Sequence, residues 1–129
     1  MYLFLDNSEE EKIFFYIISR SGKEKKFVFK DVKAHRGLLA CFDELLKKKF
    51  FNLKNIEGLG VRTGVGRFTA SRIAVTFANT LSYVLKKPIV GLIDYDSKMF
   101  LKKIKKTKKG AYLSAKYSGQ ANVGSNKKL

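Results

Sequence analysis

The chain has 129 residues, enough for one small domain that buries roughly two-thirds of the surface its unfolded chain would expose. Hydrophobic residues make up 45% of it, with eleven Phe, six Tyr and no Trp, which excludes a disordered polyelectrolyte. Lys and Arg number 27 against 11 Asp and Glu, and a formal charge of +16 favours polyanionic partners such as RNA, nucleotides or an acidic protein surface.

The longest apolar run, Ile13 to Ile18, is far short of the ~20 residues that span a bilayer, and Met1 is not followed by a basic region with an apolar core. Cys41 is the one cysteine and has no internal disulfide partner, and no Cys or His cluster offers a metal site. A cytoplasmic protein without metal or cofactor is expected.

Tyr2 to Leu5 and Lys12 to Ser19 are rich in Phe, Tyr and Ile, and the polar stretch from Asp6 to Glu11 separates them, as in a hairpin. A second reversal at Ser21-Gly22-Lys23 leads to Lys26 to Lys30, where Phe27, Val28 and Phe29 sit among lysines as in an edge strand. Between Arg36 and Phe50 the residues Leu38, Leu39, Phe42, Leu45, Leu46 and Phe50 recur at intervals of three and four. This is an amphipathic helix with Lys47 to Lys49 placed against its dipole.

Ile56 to Val61 reads as a short strand carrying Gly58 and Gly60, followed by a glycine-spaced loop and a second helix from Phe68 to Lys86. Its apolar line is Ile73, Phe77, Leu81 and Val84 or Leu85. Ala70, Ala74 and Ala78 form a second line of small residues that would let another helix approach closely. Lys87-Pro88 ends this helix, because the residue before proline is pushed out of the helical region, and Ile89 to Ile93 follows as a buried strand. The order strand, strand, strand, helix, strand, helix, strand predicts an α/β fold with a mixed sheet, the half-domain of actin-like and ribonuclease-H-like proteins. Met99, Phe100 and Ile104 predict a short basic helix, Ala111 to Tyr117 a further strand start, and 118–129 a mobile end. The expected division is a lobe over 1–95 and a basic segment over 96–129.

The stretch from Phe51 to Asp94 resembles the strand, glycine loop, helix and strand of the TsaB family, with Arg62, Gly64, Gly66, Phe68, Thr69, Arg72 and Ile73 on its motif. The Leu-Phe-Leu-Asp opening that ends at Asp6, and His35 before a Leu-rich helix, extend the resemblance over 1 to about 95. The chain departs from the pattern at Val65, Arg67, Ala70 and Ala74, and a shortened, single-lobe form of the family is expected. The resemblance implies a non-catalytic scaffold subunit of the machinery that puts threonylcarbamoyl on adenosine in tRNA. Such a subunit dimerises with a TsaD-like catalytic paralogue, reaches a TsaE-like ATPase through the complex, and homodimerises when alone.

The residues have readings of their own beside this one. Gly64, Gly66 and Arg67 stand where a loop before a helix can hold phosphate, but the Lys-Ser/Thr pair of a Walker loop is absent, and glycines also serve tight turns. For the partner interface the expected residues are Leu38, Phe42, Thr69, Ala70, Arg72, Ala74, Phe77 and Ala78; the small ones either face a partner helix or pack on their own neighbour. Arg72 either pairs with a carboxylate or is solvated. His35 and Asp6 lack the partners that acid–base or metal chemistry requires, so no catalytic residue is assigned. From Lys98 onward there are ten lysines and no acidic residue. Lys102, Lys103, Lys105, Lys106, Lys108 and Lys109, with Tyr112 and Tyr117 as stacking rings, either contact tRNA or are simply solvated. The alternative to the scaffold reading is an independent small RNA- or nucleotide-binding domain with an actin-like half fold.

Overall fold

The computed structural model describes residues 1–9, 11–30, 34–64 and 68–113, and within these the side chains of 34–36 and 68–71 are left aside. Strands β1 (Tyr2–Asp6), β2 (Lys12–Ile18) and β3 (Glu24–Lys30) form an antiparallel meander. Gly22 turns the second reversal at φ +95°, a conformation a side chain disfavours, while Ser19 N–H donates to the Lys23 carbonyl at 2.8 Å. Helix α1 (Ala34–Lys47) follows. It carries the ion pairs Asp43–Lys47 at 3.0 Å and Glu44–Lys48 at 3.2 Å on its solvent side, and Lys49 in the left-handed region ends it.

After a 3-10 turn at Leu53–Asn55, capped by Asn52, β4 (Gly58–Arg62) enters the sheet parallel to β1. Helix α2 (Phe68–Leu85) crosses over to β5 (Ile89–Leu92), which lies parallel to β4. The sheet order is β3-β2-β1-β4-β5, and the expected element order and mixed sheet are observed.

Strand alternation divides the core into two faces. Leu3, Leu5, Phe15, Leu59, Val61 and Ile89 face α1 and α2. Tyr2, Phe4, Tyr16, Val90 and Leu92 point the other way, onto α3 (Ser97–Ile104), which Asp96 caps by accepting from Met99 N–H at 3.0 Å. Gly58 and Gly60 lie on that second face. A Cβ on Gly60 would come within 2.4 Å of Phe4 Cδ2 and 2.7 Å of Phe100 Cε1, so these glycines leave the space that Phe100 and Ile104 fill.

The short basic helix expected after Asp96 is thus an integral layer of the lobe, because Phe100 and Ile104 are buried. Packed structure continues past residue 95 to Leu113, which joins the α1/α2 face of the core. Residues 111–113 form no strand, and the rest of the expected strand and the mobile end lie outside the described residues.

Candidate functional site

Two surfaces gather the residues that the sequence singles out. The first is the edge of the sheet where β1, β4 and β5 end together, the position at which open α/β sheets place ligands. Asp6 closes β1 and is 4% exposed. Its Oδ1 accepts from Ser8 N–H at 2.9 Å and Ser8 Oγ at 2.6 Å.

Arg62 closes the adjacent β4. Its Nη1 donates to Asp6 Oδ2 at 3.3 Å and to Ser8 Oγ at 3.0 Å, its Nη2 to Asp94 Oδ1 at 2.8 Å, and its Nε to the Ile93 carbonyl at 2.8 Å. One guanidinium therefore ties three strand ends together and offsets the charge of the Asp6 carboxylate. Thr63 is buried beside it, and Gly64 follows at φ +84°. Of the expected phosphate loop only Gly64 is described; Gly66 and Arg67 lie outside the described residues. Among the described residues no three His, Cys, Asp or Glu side chains converge on a possible metal position.

The second surface is the seam between α1 and α2. A groove of about 490 Å³ runs along it, lined by Leu38, Leu39, Arg72, Ile73, Thr76 and Phe77 and closed by Thr80. Leu39 is 65% exposed. Phe77 rests edge-on against Phe42 of α1, with ring centroids 5.1 Å apart. Three of the expected interface residues, Leu38, Arg72 and Phe77, thus meet in one apolar groove.

The small-residue line is placed differently from expectation. Ala74 is 0% and Ala78 2% exposed, both in the core under α2, so they do not form a face separate from the core line. The helix lies close on the sheet because its inner face is small, while bulkier Ile73 and Phe77 fill the seam with α1. Phe42 is likewise a core ring. Thr69 and Ala70 fall in α2, but their side chains are not described, and the same holds for His35 in α1. The groove adds Leu39, which stands in the apolar line of the first helix, and Thr76 and Thr80, which the sequence reading missed and which lie three residues beyond Ile73 and Phe77.

Cys41 is buried in α1, where desolvation and then the nearby Glu44 charge push its thiol up to about 11, as expected of a packing residue rather than a nucleophile. Lys102, Lys103, Lys105, Lys106, Lys108 and Lys109 are all exposed along α3 and the segment after it. Among the described residues no helix is long and apolar enough to cross a membrane.

Comparison with known proteins agrees with this architecture. The sequence model of the family described as "TsaD: tRNA N6-adenosine threonylcarbamoyltransferase" matches residues 32–119. Similar curated proteins include the tRNA N6-adenosine threonylcarbamoyltransferases of Persephonella marina, 26% identical over 76 residues, and Fervidobacterium nodosum, 35% identical over 57 residues. The first alignment takes in 57% of this chain and the second 44%, and the chain spans only 22% and 17% of those two proteins. Among solved structures, YeaZ from Pseudomonas aeruginosa superposes with a TM-score of 0.63 at 24% identity over 72% of this chain and 44% of YeaZ. A second Pseudomonas aeruginosa structure, described as similar to peptidase YeaZ, gives 0.60 at 23% identity, over 73% of this chain and 44% of its own. The fold is therefore that of one lobe of YeaZ (TsaB).

Proposed function

The chain belongs to the tRNA N6-adenosine threonylcarbamoyltransferase family, and from that premise we propose that it is a non-catalytic scaffold subunit in threonylcarbamoyl modification of tRNA. It docks through the α1/α2 groove onto a TsaD-like catalytic relative, and through that complex it meets a TsaE-like ATPase. The observation that carries the reading is the groove itself: an exposed Leu39 stands beside partly buried Ile73 and Phe77, with Arg72 at the rim. Covering an exposed leucine contributes about 1.5–3 kcal/mol, and an apolar centre with a polar rim is how stable interfaces are built. In the absence of the catalytic relative, the same face pairs two copies.

The sheet edge supports the absence of catalysis. In actin-like enzymes a carboxylate at the end of the first strand serves metal or water, whereas here Asp6 is held by Arg62 and Ser8. Both oxygens of that carboxylate are thus already engaged by donors of this chain.

The test is transfer of threonylcarbamoyl to tRNA by the TsaD-like enzyme of the same genome, with and without one equivalent of this chain. Stimulation by the chain, with no ATP turnover when it is alone, is the expected result. ATP turnover by the isolated chain, without effect on the enzyme, would favour the independent nucleotide-binding domain.

A further inference from the structure

At the far end of α2 the chain holds two exposed aromatic rings together. Asn79 uses its amide in both directions: Nδ2 donates to the Leu113 carbonyl at 2.8 Å, and Oδ1 accepts from Leu113 N–H at 2.9 Å. The Leu113 side chain packs on the core beside Gly91, where an added Cβ would lie 3.3 Å from its Cδ1. Tyr112 is consequently fixed against Tyr83, one helical turn beyond Asn79, with ring centroids 6.2 Å apart and planes tilted by 54°. Even so, Tyr83 is 69% and Tyr112 49% exposed.

The surroundings are cationic. A cleft of about 560 Å³ lies between these rings and Val84, Lys86, Lys109 and Gly110, within the range of small-ligand sites, roughly 300–1,000 Å³. Lys86 takes φ +58°, and Ser82 Oγ donates to the Lys87 carbonyl at 2.5 Å, so the turn carrying Lys86 and Lys87 is fixed as well. No acidic residue occurs between Glu57 and Asp94, and none after Asp96. Two firmly placed aromatic faces with ammonium groups around them, and no carboxylate in the segments that build the cleft, suit a π-surface linked to phosphates.

We propose that Tyr83 and Tyr112, flanked by Lys86 and Lys109, form a stacking site for an unpaired base of an RNA strand. The rings take the base, and the lysines take the phosphates on either side of it. A duplex cannot use the site, because its bases are already stacked. The site lies apart from the α1/α2 groove and rests on the proposed role in tRNA modification only for the identity of the RNA.

Fluorescence anisotropy with a labelled single-stranded oligoribonucleotide of adenine and uracil, free or annealed to its complement, tests this. The expected result is preference for the single strand, a loss of about 10- to 100-fold for Tyr83→Ala/Tyr112→Ala, and retention by Tyr83→Phe/Tyr112→Phe. Lys86→Gln/Lys109→Gln should flatten the log–log salt dependence by about 1 to 1.5, as for two lost phosphate contacts. Unchanged affinity in the alanine variant, or binding of the duplex equal to that of the single strand, would overturn the proposal and leave only diffuse lysine attraction. Loss of association with the TsaD-like enzyme in the tyrosine variants, with RNA binding intact, would overturn it in favour of a protein contact. Leu39→Asp, which tests the docking groove, should leave RNA affinity unchanged.

Discussion

Arg62 and Asp6 meet at 3.3 Å across the ends of two parallel strands, and the same guanidinium reaches Asp94 after the third. Removing the cation leaves a buried carboxylate with Ser8 as its remaining partner among the described residues. Arg62→Met should destabilise the lobe by about 1–3 kcal/mol in urea unfolding, the cost of a buried acceptor that loses a partner. The double variant Asp6→Asn/Arg62→Met should recover part of that loss, since no unpaired charge then remains. Equal stability of wild type and Arg62→Met would mean that the pair does not hold the sheet edge together.

Gly60 should not tolerate a methyl group. Its neighbours on the α3 face, Phe4 and Phe100, are both fully buried, so neither ring can swing away. Gly60→Ala should cost about 1–3 kcal/mol, the usual penalty of overpacking, and should speed amide exchange in α3 ahead of the rest of the chain. Unchanged α3 protection would show that the helix does not depend on this close approach.

The element order, the mixed sheet and both long helices were legible in the sequence, because spacing of Leu38, Phe42 and Leu45 and of Ile73, Phe77 and Leu81 reports helical period directly. Which side of α2 faced inward was not legible. An apolar line and an alanine line compete for the core, and the choice is decided by how close the helix lies on β4 rather than by hydrophobicity. The role of Gly58 and Gly60 was hidden for a related reason: the rings and methyl groups that need the space, in Phe100 and Ile104, come forty or more residues later in the chain. At the sheet edge Asp6 and Arg62 each stood out in the sequence, but their pairing did not, since only the parallel pairing of Leu5 with Val61 brings the two strand ends together. The pairing of Tyr83 with Tyr112 likewise depends on the Asn79 clamp, which has no local signature.

Glu57 gives the lobe a dependence on acid. Its carboxylate receives Arg20, whose Nε donates at 2.7 Å, and the terminal amine of Met1, and these hold it down at about 2 against an ordinary value of 4.5. Because the folded value is the lower one, the contribution is fully present above about pH 4.5 and is lost as pH falls toward 2. In thermal melts Glu57→Gln should therefore lie below wild type at pH 6, and the gap should close toward pH 2. Exposure of Arg20 means that added salt should also narrow it. A gap that stays constant across this range would assign the effect to packing instead.

The docking reading is tested most directly by light scattering on a sizing column, with this chain mixed with the TsaD-like enzyme of the same genome. Leu39→Asp changes an exposed groove residue, whereas Ala74→Arg puts a charge into the core and should unfold the lobe, so only the first variant reports on the surface. The expected result is a one-to-one complex with wild type that is lost in Leu39→Asp while its circular dichroism and melting temperature are retained. A complex that survives Leu39→Asp, or a wild-type chain that elutes apart from the enzyme, would contradict the assignment of the α1/α2 groove as the docking face.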